Sequence, residues 1–173
     1  MISVKFVALL IIFVCVSLIG IMVGNSYKFR VKELQEFETI FHSLKNNIIF
    51  MRTPIAYALR ESCTQKSELS LNLHMVADEI ENGDFYNLVD CVKKVFENNK
   101  LKLYLNQSDL DMIYDFFNNI ENNNLNSFEN VFGVFTKRIE DQLTEAIEFK
   151  NKNKKVYNTL GIGVGAMIVI FLI

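Results

Sequence analysis

Both ends of this chain are apolar for about the thickness of a bilayer, and no other feature constrains its fold as strongly. Phe6 to Gly24 reads "FVALLIIFVCVSLIGIMVG" and Val156 to Ile173 reads "VYNTLGIGVGAMIVIFLI", and neither run holds a charged side chain. Nineteen residues rising 1.5 Å each reach roughly 28 Å as a helix, and eighteen reach about 27 Å, close to the hydrocarbon thickness of a membrane. Residues 5–24 and 156–173 are therefore expected to be transmembrane helices, with residues 25–155 between them. A cleaved signal peptide would account for the first run alone. That run lacks a small-residue cleavage site after Ile19 and is longer than a signal core, which favours an uncleaved anchor.

Charge sets the expected orientation. Lys28, Arg30 and Lys32 follow the first run, and Lys150, Lys152, Lys154 and Lys155 precede the second. Basic residues beside a span stay in the cytoplasm, so both clusters predict that residues 28–155 are cytoplasmic and the termini outside; Lys5 opposes this mildly. All 20 acidic residues lie between Glu33 and Glu148 against ten basic ones, which gives that stretch a net charge of about −10. Phosphate contacts need a basic face, so no nucleic-acid partner is indicated. The acidity either keeps the middle soluble and away from anionic lipid or faces a basic partner.

Glycines mark both apolar runs. Gly20 with Gly24, and Gly161 with Gly165, each place two small residues one turn apart on a helix face. Such faces allow close helix approach in lipid, so the spans are expected to pack on each other or on partner spans, those of further copies included. The alternative is that glycine is simply common in transmembrane helices. Neither run carries a charge that would serve an ion path, which argues against a pore built by this chain alone.

The middle reads as helix. Leu34, Phe37, Phe41, Leu44, Ile48 and Met51 recur at spacings of three and four, a stripe that could continue directly from the first span. Thr53-Pro54 then closes the segment, with Thr53 expected to cap a short helix whose Ile55, Ala58 and Leu59 face inward. A helix over about 67–82 carries Leu69, Leu73, Val76 and Ile80. Gly83-Asp84 is expected to end it and to cap the next, with Phe85, Leu88, Val89, Val92 and Phe96. The pattern breaks at "NNKLKLYLNQ". Ser108 with Asp111 resembles a capping box that opens a helix bearing Leu110, Ile113, Phe117 and Ile120. Phe128, Phe132, Phe135, Ile139, Leu143 and Ile147 lead without proline into the second span. The fold class expected is all-α, a helical bundle between two transmembrane helices.

Chemistry is scarce. No glycine-rich loop precedes a Lys with Ser or Thr, so no phosphate cradle is read. His42 and His74 lack partners at metal-ligand spacing, and Cys15, Cys63 and Cys91 are odd in number and widely spaced. Asp78, Glu79 and Glu81 read as a solvated face. No cofactor, metal or catalytic residue is expected.

The chain resembles the stage III sporulation protein AB family of endospore-forming bacteria. The resemblance rests on "ELQEFETIFHSLKNNI", on "TPIAYAL" with Thr53, Pro54, Ala58 and Leu59, and on "KNKNKKVYNTLGIGVGAMIVIFLI". It implies a six-helix soluble part similar to the cytoplasmic domain of type II secretion F platform proteins. It also implies a place in the mother cell's outer forespore membrane, within the complex that joins mother cell and forespore. The partners implied are a cytoplasmic sporulation ATPase, similar to stage III sporulation protein AA, and the other subunits of that complex. Thr53, Pro54, Ala58 and Leu59 are the candidate interface residues. A helical sensor domain between two spans is the alternative, and it would need a signalling region after the second span.

Overall fold

The structure is a computed structural model that describes residues 2–64, 66–83, 87–122 and 127–172. Among the described residues six α-helices follow one another: α1 (Ile2–Lys45), α2 (Ile55–Ser62), α3 (Glu68–Asn82), α4 (Leu88–Asn98), α5 (Gln107–Asn122) and α6 (Phe128–Leu172). A π-helical turn at Asn46–Phe50 follows α1, and a short 3-10 turn at Lys100–Lys102 precedes α5. The described residues contain no strand, so the fold is all-α. They form two compact units, one of Lys32–Thr144 and one of Met1–Val31 with Glu145–Ile173.

In the larger unit the expected stripe is buried at Leu34, Phe37, Phe41, Leu44 and Ile48. Met51, the sixth member, is 69% exposed instead. The π-helical turn explains the loss: each of its residues advances less around the axis than in an α-helix, so the stripe slips out of phase. Phe41 packs against Phe116 and Phe132 with ring centroids 4.9 and 5.0 Å apart, and Phe116 lies 5.3 Å from Phe132 and 5.5 Å from Phe135. These tilted and edge-on pairs each add roughly 0.5–1.5 kcal/mol beyond the area they bury. One aromatic cluster thus ties α1, α5 and α6 together within this unit. Ile55, Ile80, Val89 and Leu143 of the same unit, and Ile147 of the smaller one, are only half-buried.

Local signals set the helix ends. The Ser67 hydroxyl accepts from the Ser70 amide at 3.0 Å and opens α3, and Gly83 closes it at φ 73°, a left-handed conformation that glycine adopts without strain. Three ends differ from the sequence expectation. Pro54, not Thr53, holds the cap position of α2, because the Thr53 amide still donates to Asn47 O at 3.0 Å and so belongs to the preceding turn. Asn87 caps α4, accepting from the Asp90 amide at 2.7 Å; Asp84 and Phe85 lie outside the described residues. The capping box of α5 is Asn106 with Asp109 rather than Ser108 with Asp111. Asn106 Oδ1 accepts from the Asp109 amide at 2.8 Å and Asp109 Oδ2 accepts from the Asn106 amide at 2.9 Å, so two orphan donors are satisfied reciprocally. Ser108 instead accepts from Gln142 Nε2 at 2.7 Å.

Candidate functional site

Two places in the chain combine unusual backbone or close approach with exposed side chains. The first is the corner between α1 and α2. The π-helical turn leads into Arg52, whose φ of 54° puts a long L side chain in the left-handed region. Pro54 follows with extended ψ at 145°, and its carbonyl accepts from the Ala58 amide at 2.9 Å to begin α2. Buried Asn47 donates to the buried Ser62 hydroxyl at 3.3 Å and fastens the corner to the far end of α2. The family-motif residues divide here. Ala58 and Leu59 are fully buried and serve the core, while Thr53 is half-buried and Pro54 is exposed. Phe50, Met51 and Tyr57 beside them are 71%, 69% and 56% exposed, an apolar face around a strained residue.

The second place is the crossing of the two apolar stretches within the smaller unit. A Cβ on Gly20 would stand 2.5 Å from Gly161 Cα, and one on Gly161 would stand 2.8 Å from Gly20 Cα, so the helices touch backbone to backbone. A Cβ on Gly165 would lie 3.1 Å from the Phe13 ring and 3.3 Å from Ser17 Oγ, whereas one on Gly163 would meet open space. Gly24 is buried. Tyr27 stacks on Tyr157 with centroids 5.8 Å apart, so the pair of segments runs antiparallel. Their outward faces, from Val7 to Val23 and from Val156 to Phe171, expose large apolar side chains, and both α1 and α6 hold stretches long and apolar enough to cross a membrane. This points to membrane association.

Of the basic residues expected to set topology, Lys28, Lys150, Lys154 and Lys155 line one cleft in this unit together with Asn151 and Thr159. Arg30 is nearly buried and lies 3.9 Å from Glu145. Lys32 and Lys152 are exposed and do not line the cleft.

Buried acids escaped the sequence reading. Glu36 is 5% exposed and accepts hydrogen bonds from the Ser67 and Ser70 hydroxyls, the latter at 2.9 Å. Asp109 is fully buried in its capping box. Glu33 accepts from the Tyr104 amide at 2.7 Å. Burial pushes the Glu33 carboxyl up to about 7, with Glu36 and Asp109 adding to the rise and amide bonds from Tyr104 and Leu105 opposing it. The signal was present at Ile40, which widens the apolar face of α1 so that Glu36, one turn earlier, must be inside. The acids read as a solvated face are partly paired: Arg60 bonds Asp78 and, at 2.9 Å, Glu81, and Lys94 lies 3.1 Å from Glu79.

Burial drives the Cys63 thiol up to about 12 and Cys91 up to about 11, far from a reactive thiolate. His74 Nε2 bonds the Cys63 carbonyl at 3.2 Å and His42 lies edge-on to Phe41. Among the described residues, no group of three His, Cys, Asp or Glu is placed to hold a metal ion.

A solved structure titled "Stage III sporulation protein AB (SpoIIIAB)" has a similar fold, with a TM-score of 0.63 at 15% identity over 70% of this chain and 96% of that one. No curated protein matches the chain. The family model for stage III sporulation protein AB matches residues 5–173, nearly end to end, and the chain therefore belongs to the stage III sporulation protein AB family.

Proposed function

We propose that this protein is a non-enzymatic platform subunit of the stage III sporulation channel complex, held as a two-span hairpin in the mother cell's outer forespore membrane. Residues 5–24 and 156–173 are the spans, and residues 25–155 form a bundle in the mother-cell cytoplasm. The observation that carries the topology is the shared cleft: Lys28 of α1 meets Lys150, Lys154 and Lys155 of α6 beside the ends of both apolar stretches. Basic residues from both flanks on one side are what a hairpin with a cytoplasmic middle requires. Membership in the family supports a place in the channel complex.

The partner is a cytoplasmic sporulation ATPase similar to stage III sporulation protein AA, and the complex's other subunits meet the spans. The exposed corner of Phe50, Met51, Pro54 and Tyr57 is the contact face for the ATPase. Exposed apolar residues around a strained backbone suit a face that a partner covers. Topology is tested by inserting a small protease site between Gly83 and Asp84 and treating spheroplasts. Protection until lysis is the expected result, and cleavage in intact spheroplasts would place the bundle outside and remove the ATPase from reach. Met51→Asp with Tyr57→Asp should abolish co-purification of the ATPase while leaving the helical content unchanged. Undiminished co-purification would move the contact elsewhere.

A further inference from the structure

The cleft between the two membrane-flanking segments holds more than a topology signal. It has a volume of about 470 Å³, and its walls come from both helices, Lys28 from α1 and Lys150, Asn151, Lys154, Lys155 and Thr159 from α6. No carboxylate lines it. In the larger unit four cations face acids, Lys94 meeting Glu79, Lys102 meeting Glu68, Arg60 meeting Asp78 and Glu81, and Arg138 meeting Asp115, while Lys93 lies over the Tyr114 ring and Lys100 donates to Gln107. Among the described residues, none of the four cleft lysines lies within ion-pair distance of a carboxylate. Four like charges around one hollow repel one another, and an anion in the hollow turns that repulsion into attraction.

Position identifies the anion. Lys28 is one turn beyond Gly24, and Lys154 and Lys155 come just before Val156, where the exposed apolar face of α6 begins, so the hollow sits where the exposed apolar faces end. In a bilayer that level is occupied by lipid phosphates, not by hydrocarbon or bulk water. The size lies within the range of small-ligand pockets, and the Asn151 amide and Thr159 hydroxyl add neutral hydrogen-bond donors. Lysines on both walls fit a headgroup with two phosphates better than one with a single phosphate, because each wall can then meet its own charge.

We propose that this cleft binds the phosphates of an anionic membrane lipid, a two-phosphate headgroup of the diphosphatidylglycerol type being the best match. The proposal rests on the reading of the two apolar stretches as spans. A bound lipid would pin α1 to α6 where the glycine contact has ended, and would make assembly of the hairpin sensitive to membrane composition.

Native mass spectrometry of the full chain in neutral detergent tests this, with equal amounts of phosphatidylcholine and diphosphatidylglycerol as probes. A preference of about tenfold or more for the two-phosphate lipid is expected, given the usual strength of lysine attraction to an anionic surface. Lys28→Gln, Lys150→Gln, Lys154→Gln and Lys155→Gln together should erase the preference, and Arg at the same four positions should keep it. Gln at Lys93, Lys94, Lys100 and Lys102 removes as much charge from the larger unit and should change nothing. An equal loss in that control would reduce the effect to net charge and overturn the site. Inorganic pyrophosphate bound as tightly as the lipid would replace a lipid site by one for soluble phosphates. Carbonate extraction of membranes reads the spans separately. Release of the chain would refute the span reading, whereas retention without lipid preference would refute this proposal alone.

Discussion

The Gly20–Gly161 contact gives a graded prediction from geometry alone. Gly20→Ala would place a Cβ 2.5 Å from Gly161 Cα and 3.0 Å from Tyr157 O, both backbone atoms that cannot rotate away. Relief to an ordinary contact requires the helices to part by about 1 Å, a gap that forfeits a quarter to a half of each dispersion well along the seam. The cost should be about 1–3 kcal/mol, as for overpacked interiors. Gly161→Ala, 2.8 Å from Gly20 Cα, should cost nearly as much. Gly165→Ala should cost less than about 1 kcal/mol, because its nearest neighbour is the Phe13 ring at 3.1 Å and a side chain can turn. Gly163→Ala meets open space and should be neutral or stabilising, since alanine favours helix by up to about 1 kcal/mol. The assay is SDS titration of the full chain in mild detergent, with donor and acceptor dyes on cysteines placed at exposed Leu10 and Phe171, opposite one another in the antiparallel register, in a background lacking Cys15. The order Gly20, Gly161, Gly165, Gly163 is the expected ranking of transition midpoints, lowest first. If Gly163→Ala shifts the midpoint down as far as Gly20→Ala, helix contact through the glycine face is refuted.

Three further outcomes follow from the larger unit. Phe132→Ala should cost about 3–5 kcal/mol, seen as a lower melting temperature of the full chain, because it removes a fully buried ring that packs on both Phe41 and Phe116. Glu33 holds its proton in the folded state up to a pH of about 7, above its ordinary value, so it contributes stability below the unfolded pKa that is lost as pH rises toward 7. Glu33→Gln, which still accepts the Tyr104 amide, should flatten the fall in melting temperature from about pH 4.5 to 7; an unchanged slope would assign it to another group. Cys63 and Cys91, buried and raised to about 12 and 11, should resist alkylation at pH 8 in the folded protein and react after denaturation.

Long-range periodicity was legible in the sequence, and local competition was not. Leu34, Phe37 and Phe41 could be read because a 3.6-residue repeat survives whatever the helix packs on. Asn106 with Asp109 and Ser108 with Asp111 satisfy the same capping spacing two residues apart, and sequence offers no reason to prefer either. The choice falls to the backbone: Leu103 and Leu105 are buried, which fixes the extended segment as far as Asn106 and starts the helix there. Thr53 failed as a cap because no pattern signals a π-helical turn, which carried the previous helix one bond further. At the membrane-flanking segments the glycine spacing and the lysine runs could be seen. Their register could not: which glycine meets which depends on how two distant segments align, and so does the separation of Lys150 and Lys154 in the cleft from Lys152 outside it.

Buried carboxylates change what the acidic middle means. Its charge was open to two readings, solubility or a basic partner, and several of its acids serve neither. Glu36 holds the first turn of α3 through Ser67 and Ser70, Glu33 holds the backbone at Tyr104, Asp109 caps α5, and Glu121 accepts the Leu88 amide at 3.0 Å at the start of α4. All four accept hydrogen bonds at helix starts or in a connecting segment. Carboxylates suit that task because unsatisfied amides gather at helix starts and the helix dipole is positive there. The consequence concerns any search for a partner face by charge reversal. Reversing Glu36 or Asp109 would place a buried cation against donors and loosen the α3 or α5 cap, so lost binding there would report folding. Exposed Glu97, Glu129, Glu140 and Asp141 hold no such bond among the described residues, and reversal there would report a partner.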